Sequence, residues 1–349
     1  MSSLNKFDIQ IAHSVQEIGP AAWDHLAAGR PFGSYRWYRF GETVRGQDLP
    51  TYIVLSCRGE PLACGAFWLT RQEPLPISPR PVRCIVEALV RRWPLLICRS
   101  PLTDTCGLML PGLPLREAAL RIISQVALEQ ARAARASFVI FDYLAQSTSL
   151  ELSSAEAFAP ISIANPGTSL AITWPDFDSY LNQLSYKTRK NYRRNCRIAQ
   201  RLGIEIQSYS RVEAVHEALT LIRNVERRHN ETPVPWMQRM LENAPMVDMI
   251  WLAAAIGEQL VGCELLLGDG DEWLVTAIGL DYRVQYAYFM LGYADIRCAI
   301  EHGVQRLRWG SCAYEFKQRM GFQLEDNNAI VFAASNRLLG WIARHLATS

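Results

Sequence analysis

The chain has 349 residues, of which 49% are hydrophobic and 20% charged, as is typical of a globular protein large enough for two domains. Its formal net charge of +2 provides no overall field for DNA or anionic membranes. The nine scattered cysteines include no CxxC pair, which argues against a metal site and favours a reducing cytoplasm. Because there is neither a signal-peptide core nor an apolar run of about 18 residues, we expect a cytoplasmic protein without an integral membrane segment.

The first half of the chain predicts a hairpin, a helix and a strand, in that order. Its predicted elements are a strand at 7–12, helices at 15–28 and 32–40, a hairpin of strands 51–57 and 62–70, a short helix or strand near 84–90, a strand near 95–99, a helix at 115–135 and a strand at 138–142. The aromatic run at 32–40 predicts rings that pack into the core of a domain.

The second half repeats the order of the first. Its elements up to residue 267 are a strand at 169–173, helices at 176–184 and 185–201, a strand at 204–209, helices at 212–228 and 236–243 and a hairpin of strands 248–256 and 259–267. Pro160 and Pro166 interrupt the pattern between the halves. We therefore predict an N-terminal domain over residues 1–160 and a C-terminal domain over residues 168–349.

The stretch from Trp273 to Phe322 predicts a strand, a crossover helix, a second strand and a short helix, which together build a parallel strand pair. Gly303 is a plausible end for the crossover helix. Ligands of open α/β sheets tend to bind at the carboxyl ends of such strands. The residues that follow the two strands, and hence form the predicted site, are Asp281, Tyr282 and Arg283 after the first, and Ser311, Tyr314, Glu315 and Lys317 after the second.

Two further features concern this site. Lys317 follows the second strand by eight residues, so its ammonium can reach back over the strand end, with Tyr314 one turn before it on the same helix face. Glu315 lies about 200° from Lys317 around that helix and is the weaker candidate. Glu264 is a lone carboxylate within an apolar strand, so it must face the cleft or find a buried partner.

The segment 185–201 carries seven cations and no acid. Helical spacing places Arg189, Arg193, Arg197 and Arg201 roughly on one face, where like charges repel one another. The segment is either an ordinary solvated helix or a binding surface for a polyanion, such as the phosphates of a cofactor, of a lipid-linked sugar or of RNA.

Several ordered motifs resemble the FemAB-like branch of the GNAT acyltransferases. They are the basic helix that starts at Ser185, the sequence Arg227-Arg228-His229, the sequence Gly257-Glu-Gln-Leu-Val-Gly262 and the terminal motif Tyr314-Glu-Phe-Lys317, which Gly321 follows. The resemblance covers residues 169–325 well and the first half only in the order of its elements. It implies an α/β fold with mixed sheets, arranged as two GNAT-like domains in tandem.

The same resemblance implies an acyl- or aminoacyltransferase. Its donor would be an acyl-CoA or a charged tRNA, and its acceptor an amine of a small metabolite or cell-envelope precursor, without a metal. The residues that fall on the terminal motif are Tyr314, Glu315 and Lys317; those on the basic helix, which would bind donor phosphates, are Lys187, Arg189, Arg193 and Arg194.

Such a transfer requires a deprotonated amine, a placed carbonyl and stabilisation of the oxyanion, but no protein nucleophile. Glu315 and Asp281 are candidates to act as a base or to orient the amine, while Lys317 could stabilise anionic charge and Tyr314 could donate a hydrogen bond.

Arg283 offers a cation at the start of the crossover helix. The stretch 283–292 departs from the GNAT pattern, because bulky side chains replace the glycines that let backbone amides approach a pyrophosphate. The sequence therefore leaves the choice between CoA and aminoacyl-tRNA open. It also leaves two other classes of function open, a non-catalytic scaffold with the GNAT fold and an RNA-binding protein that uses the basic helix.

Overall fold

The computed structural model describes residues 7–74, 80–154, 157–162 and 166–335. The described residues fall into two compact units, one containing those up to 162 together with those from 326 onward, and the other residues 166–325. Within the described residues, no helix is long and apolar enough to cross a membrane.

The first unit begins with a sequence of alternating strands and helices. In chain order these are β1 (Asp8–Ala12), α1 (Pro20–Ala27), α2 (Tyr35–Val44), β2 (Leu49–Cys57), β3 (Glu60–Thr70), α3 (Arg80–Arg92), β4 (Leu95–Cys98), β5 (Leu108–Met109), α4 (Arg116–Ala133), β6 (Phe138–Leu144), α5 (Gln146–Ser153) and β7 (Ala159–Ser162). The predicted hairpin, the helix of the aromatic run and the long amphipathic helix are confirmed, whereas α5 and β7 were not predicted.

The second unit begins with a short strand and ends with a short strand. Its elements are β8 (Thr168–Ala171), α6 (Phe177–Gln183), α7 (Tyr186–Arg201), β9 (Ile204–Tyr209), α8 (Val215–Arg228), α9 (Met237–Asn243), β10 (Asp248–Ile256), β11 (Gln259–Asp269), β12 (Glu272–Leu280), α10 (Ala287–Glu301), β13 (Arg306–Arg308), α11 (Tyr314–Arg319) and β14 (Gln323–Leu324). The chain then returns to the first unit with β15 (Ala329–Ala334).

Each unit is built on one mixed sheet. The strand order is β1-β2-β3-β4-β6-β15-β7 in the first, with β5 paired to β3, and β14-β8-β13-β12-β11-β10-β9 in the second. Most neighbours are antiparallel, but β4 and β6 are parallel, as are β12 and β13. The predicted parallel pair of the second unit is therefore confirmed.

The last described strand corrects part of the predicted domain boundaries. The predicted C-terminal domain extended to residue 349, but β15 pairs antiparallel with both β6 and β7 and so completes the sheet of the first unit. Nothing in the local sequence of β15 indicates this, because its partners lie well over 100 residues earlier in the chain. The predicted break between the halves lies close to the division at residue 166.

Local signals set the ends of the elements that surround the site. Ser185 caps α7 by accepting a hydrogen bond from the backbone N–H of Thr188 at 3.2 Å. Helix α10 ends at Glu301, and Gly303 follows with a φ of 66°, a left-handed conformation that glycine adopts without strain. The chain can therefore turn directly from α10 into β13, as predicted.

Candidate functional site

A cavity of about 710 Å³ opens in the second unit where β12 and β13 diverge. The two strands pair only over Glu272–Leu274 and Arg306–Arg308, and beyond that point the second half of β12 lines the cavity. The other walls are the C-terminal end of α8, the loop before α10 and the loop 309–313 that follows β13. The cavity thus lies at the carboxyl ends of the parallel strands, where the sequence placed the site.

Lys317 lies in the floor of this cavity rather than in its open volume. Its side chain is buried, and its Nζ donates hydrogen bonds to the carbonyl oxygens of Trp309 at 2.8 Å, Gly310 at 2.9 Å and Ser311 at 3.0 Å. The ammonium also lies 5.4 Å from the centroid of the Trp309 ring. These three bonds match the three donors of an ammonium group.

The contacts of Lys317 give it a structural role that the sequence did not indicate. The carbonyls it binds belong to the loop in which Cys312 and Ala313 both have positive φ values, of 70° and 50°. Two consecutive non-glycine residues in this conformation persist only when their surroundings hold them there. Because its ammonium is buried and bound to this loop, we expect removal of Lys317 to destabilise the fold.

Tyr314 and Glu315 do not join Lys317 in the cavity. The hydroxyl of Tyr314 donates a hydrogen bond to the carbonyl oxygen of Pro166 at 2.8 Å. Glu315 is exposed and pairs with Arg319 at 2.9 Å, one turn along the helix. A substrate contact by Tyr314 and a role of Glu315 as a base stay predictions that these contacts do not support.

Asp281 and Arg283, which the sequence assigned to different roles, bind each other. Asp281 lines the cavity, and its carboxylate accepts hydrogen bonds from Nε and Nη2 of Arg283 at 2.9 and 2.7 Å. These hydrogen bonds lower the pKa of Asp281, which weakens it as a base. The guanidinium of Arg283 is 85% exposed, so it remains accessible to an anionic ligand only in competition with Asp281.

Glu264 of β11 is fully buried, and its partner is a second acid, Asp295 of α10, which sequence reasoning missed. Apart from each other, the two carboxyl groups have no hydrogen-bond partner among the described residues. Burial and then the charge of Asp295 hold the pKa of Glu264 well above its usual range, against the opposing charge of Lys317. Burial raises the pKa of Asp295 to about 7. Such a pair must retain at least one proton at neutral pH.

This acid pair predicts a specific dependence of stability on pH. A carboxyl whose pKa is higher in the folded protein contributes most below its ordinary pKa, near 4, and the contribution is lost as pH rises towards 7. Relative to an Asp295→Asn variant, the wild type should therefore lose up to about 1.4 kcal/mol of unfolding free energy per pH unit in this window. Urea unfolding of both proteins at several pH values measures the difference, and a constant difference would contradict the prediction.

The rim of the cavity carries a carboxylate that the sequence analysis did not single out. Glu231 lies there beside His229, and its side chain has no hydrogen-bond partner among the residues that the structure describes. Partial burial raises the pKa of Glu231, and the neighbouring His229 opposes the rise. The hydroxyl of Tyr282 lies 3.5 Å from Nε2 of His229, and the guanidinium of Arg228 lies 5.0 Å from the Tyr282 ring.

Glu231 differs from the other carboxylates of the cavity in being available. Glu226 is buried and accepts hydrogen bonds from Arg223 at 2.6 Å and from the backbone N–H of Val234 at 3.0 Å. Asp281 is occupied by Arg283. An accessible carboxylate with a raised pKa is suited to accept a proton from an amine. In the sequence, Glu231 belongs to the polar run Arg227-Arg-His-Asn-Glu231. That run does not reveal that the chain passes beside the ends of β12 and β13 at this point.

The basic helix α7 contributes to a second cavity, of about 430 Å³. The part of α7 that lines it supplies Lys187, Lys190 and Arg194, which are exposed and have no acidic partner among the described residues. We call this cavity the α7 groove. Its apolar wall comes from α10 and α11 and consists of Phe289, Tyr293, Phe316 and Met320, with Arg319 at its edge. Unpaired cations beside aromatic rings fit a ligand that combines phosphates with a planar ring.

The other predicted cations of α7 lie elsewhere. The guanidinium of Arg189 donates hydrogen bonds to the carbonyl oxygens of Asn182 and Leu184 at the end of α6. Arg193 is exposed outside the groove, and its carbonyl oxygen accepts a hydrogen bond from Arg197 at 3.3 Å. The groove therefore uses the 187–190–194 face, not the 189–193–197 face that the spacing suggested.

The corresponding strand ends of the first unit are joined by salt bridges. Arg99, which follows β4, pairs with Asp142 of β6 and with Glu73 at 2.6 Å. Glu73 also binds Arg45 at 3.0 Å, and these side chains are largely buried. Charged side chains that pair with one another thus fill the space at these strand ends, whereas the corresponding strand ends of the second unit line a cavity.

No group of three or more His, Cys, Asp or Glu side chains within the described residues is arranged to hold a metal ion. Acyl transfer to an amine can proceed with acidic and basic side chains alone.

Comparison with protein families gives one match that covers most of the chain. Residues 83–349 match the model of the FemAB-like family, whose description is peptidoglycan biosynthesis and recognition. No curated protein matches the chain.

Solved structures resemble the whole chain at low sequence identity. FemX has a TM-score of 0.63 at 12% identity, covering 95% of this chain and 99% of FemX. A tandem GNAT protein from the clavulanic acid biosynthesis pathway has a TM-score of 0.59 at 11% identity, covering 94% and 99% of the two chains. L-PGS from Bacillus licheniformis has a TM-score of 0.54 at 10% identity, covering 93% and 96%. These likenesses confirm the predicted fold of two tandem GNAT-like domains.

Proposed function

Because this chain belongs to the FemAB-like family, as its motifs predicted, we propose that it transfers an acyl or aminoacyl group from an activated donor to an amine. The acceptor would be an amine of a cell-envelope precursor or small metabolite. The observation that carries the proposal is the cavity at the diverging ends of β12 and β13, with Glu231 available at its rim. A metal ion has no part in the proposed reaction.

The proposed chemistry is direct aminolysis in this cavity. The acceptor ammonium gives one proton to Glu231, and the amine nitrogen then attacks the carbonyl carbon of the donor ester or thioester. The C–N bond forms, the bond to the donor oxygen or sulfur breaks, and the leaving group takes up a proton, so that no oxidant or further reactant is needed. Backbone amides or side chains near the loop 309–313 would stabilise the developing oxyanion.

The α7 groove supports a donor that carries phosphates. Both an acyl-CoA and a charged tRNA combine phosphates with adenine, which suits Lys187, Lys190 and Arg194 beside the aromatic wall. The turn before α10 is unlike a glycine-rich pyrophosphate loop, since Tyr286 occupies its left-handed position with a φ of 75°. We therefore propose the groove as the donor phosphate site for either class of donor.

The direct experiment is a donor screen by intact-mass spectrometry. The full chain would be incubated with a set of amine acceptors and either a panel of acyl-CoAs or a mixture of charged tRNAs, and transfer would appear as an acceptor of increased mass. Transfer from one donor class and not the other identifies the donor. The absence of transfer from both classes would contradict the proposal.

RNA binding through the same cations is the second candidate function, favoured by the unpaired cations of the groove. It differs from catalysis in what it requires. RNA binding needs Lys187, Lys190 and Arg194 but does not need Glu231, whereas transfer needs both. A Glu231→Gln variant that binds RNA as the wild type does, in a protein without transferase activity, would favour this alternative.

Charge reversal on the groove face of α7 should weaken binding of a phosphate-bearing donor. We expect Lys190→Glu/Arg194→Glu to reduce affinity by at least about tenfold and to flatten its salt dependence, because two phosphate contacts are lost. The matched control is Arg193→Glu/Arg197→Glu, which makes the same change of charge on exposed residues outside the groove.

Titration of a fluorescent donor analogue over a range of salt concentrations measures both effects. Stability should change by no more than about 1 kcal/mol in either variant, since these charges are exposed. An equal loss of affinity in both variants would show a general effect of charge rather than a site.

A further inference from the structure

Helix α3 of the first unit presents an apolar stripe that the described structure leaves uncovered. The stripe consists of four large side chains, which are Val82, Ile85, Leu89 and Trp93, exposed by 45%, 62%, 47% and 47%. Their spacing of three and four residues places them along one side of the helix. Trp93 continues the last turn, because its N–H donates to the carbonyl oxygen of Leu89 at 2.8 Å.

This stripe is distinct from the face by which α3 packs on its own unit. Val86 and Val90 contact Leu95 and Ile97 of β4 and the side chains of β6. Arg83, on the same packed side, pairs with Glu87 at 3.9 Å. Helix α3 therefore contacts the sheet through one apolar face and exposes a second, neighbouring apolar face to the surroundings.

The unpaired charges of α3 are all positive. Arg80, Arg91 and Arg92 are exposed and have no acidic partner among the described residues. Glu87, the only acid in the helix sequence, is paired with Arg83. At the C-terminal end the guanidinium of Arg92 lies 5.8 Å from the Trp93 ring. The whole chain is nearly neutral, so this is a local concentration of positive charge.

We propose that the α3 stripe binds the surface of a membrane that contains anionic phospholipids. An apolar stripe along a surface helix, with a tryptophan at its end and arginines on the more polar faces of the same helix, is the arrangement that inserts shallowly between lipid headgroups and acyl chains. The stripe is a convex helix face, which a deformable lipid surface can accommodate. The unpaired arginines supply the charge complementarity that selects anionic lipid.

The proposal does not depend on the transferase activity and concerns the other unit of the chain. It places the protein at a lipid surface through a helix that lies on the membrane and does not cross it. Four apolar side chains of this size, each partly buried on binding, provide reversible attachment that depends on the arginines.

Sedimentation with lipid vesicles tests the proposal on the full chain. We expect the wild type to pellet with vesicles of phosphatidylcholine that contain about one-third phosphatidylglycerol, to bind phosphatidylcholine alone more weakly, and to lose the difference in about 0.5 M salt. Binding that is absent from both kinds of vesicle would overturn the proposal.

Two variants separate the apolar and the electrostatic contributions. Leu89→Glu should weaken partitioning by about tenfold or more on both vesicles. Leu150→Glu is its matched control, since Leu150 is a leucine of the same unit that is 64% exposed on another helix. Arg91→Gln/Arg92→Gln should weaken binding about 20-fold on the anionic vesicles and leave binding to the neutral ones unchanged. An equal effect of Leu150→Glu would contradict a specific site.

Fluorescence quenching by brominated phospholipids measures insertion of Trp93 into the lipid independently, and it can be recorded on the wild-type protein. Vesicle-dependent quenching should be present in the wild type and largely absent in Trp93→Phe, if Trp93 enters the lipid. Sedimentation velocity without lipid tests whether the stripe binds a second copy of the chain instead of a membrane. If Leu89→Glu converts a wild-type oligomer into a monomer, the stripe is an interface between copies of the chain and the proposal fails.

Discussion

Replacing Lys317 with methionine is expected to lower the free energy of unfolding by about 3–5 kcal/mol, and the melting temperature by about 10 °C. The ammonium donates three hydrogen bonds to the carbonyls of Trp309, Gly310 and Ser311, and all four groups lie in or below the cavity floor. Methionine fills a similar volume but removes all three bonds. The Thr168 hydroxyl, which also contacts the carbonyl oxygens of Trp309 and Gly310, has one proton to donate and cannot replace the ammonium at every carbonyl. Each buried carbonyl left unsatisfied costs about 1–3 kcal/mol.

The same helix provides a matched control for this variant. Arg319→Met removes a cation two residues away whose partner, Glu315, is exposed, so its effect should stay within about 1 kcal/mol. Chemical unfolding of both variants and the wild type measures the difference. A Lys317→Met protein with wild-type stability but reduced transfer would contradict the structural role and return Lys317 to the chemistry, as the sequence alone suggests.

The contacts of Lys317 illustrate what its motif could and could not predict. Its position after β13 was sufficient to predict that its ammonium reaches back over the strand end, because the spacing along a short helix is fixed. The path of the loop 309–313, with two residues at positive φ, was not visible in the sequence. Without that path, a lysine that binds a substrate and a lysine that binds its own backbone have the same sequence pattern.

The fold was predictable where the signal is local. The apolar run of β12, the helical spacing of α10 and the glycine after it are each determined by residues close in sequence, and together they specify the parallel pair. Strand β15 was not predictable, since its assignment depends on pairing with β6 and β7 from the distant first half. Long-range pairing leaves no periodic mark in the strand itself.

The buried acids also show that a contact between distant elements is not predictable from local sequence. Glu264 was identified as a carboxylate that must find a partner, because it interrupts an apolar strand. Its partner, Asp295, lies on a different element, and only the packing of α10 against β11 brings the two together. A second carboxyl is an unexpected partner, since two buried carboxylates repel each other unless a proton is retained.

Within the described residues, the two parallel strand pairs differ in what lies at their carboxyl ends. In the first unit, Arg99, Asp142 and Glu73 join the strand ends through salt bridges. In the second unit, the equivalent ends enclose a cavity of about 710 Å³ whose buried cation, Lys317, is turned towards backbone carbonyls. The same fold therefore has a closed, charged junction in the first unit and an open cavity in the second. Two copies of one fold can differ in function in this way.

Substitution of Glu231 by glutamine is expected to reduce kcat by about 10²–10³-fold while leaving the KM of the donor nearly unchanged. Glutamine keeps the shape of the side chain but cannot take a proton from the acceptor. Because partial burial raises the pKa of Glu231, the acidic limb of the wild-type pH–rate profile should report its ionisation, and that limb should disappear in the variant.

Steady-state transfer with the donor identified by the mass-spectrometric screen measures both quantities. The control is Glu217→Gln, an exposed glutamate in the first turn of α8, at the opposite end of the helix that leads to Glu231. Both variants should melt as the wild type does, since neither side chain has a hydrogen-bond partner among the described residues. Full activity in Glu231→Gln would exclude it as the base and leave proton removal to solvent or to the substrate itself. Asp281 is a poor substitute, because hydrogen bonds from Arg283 occupy its carboxylate and lower its pKa.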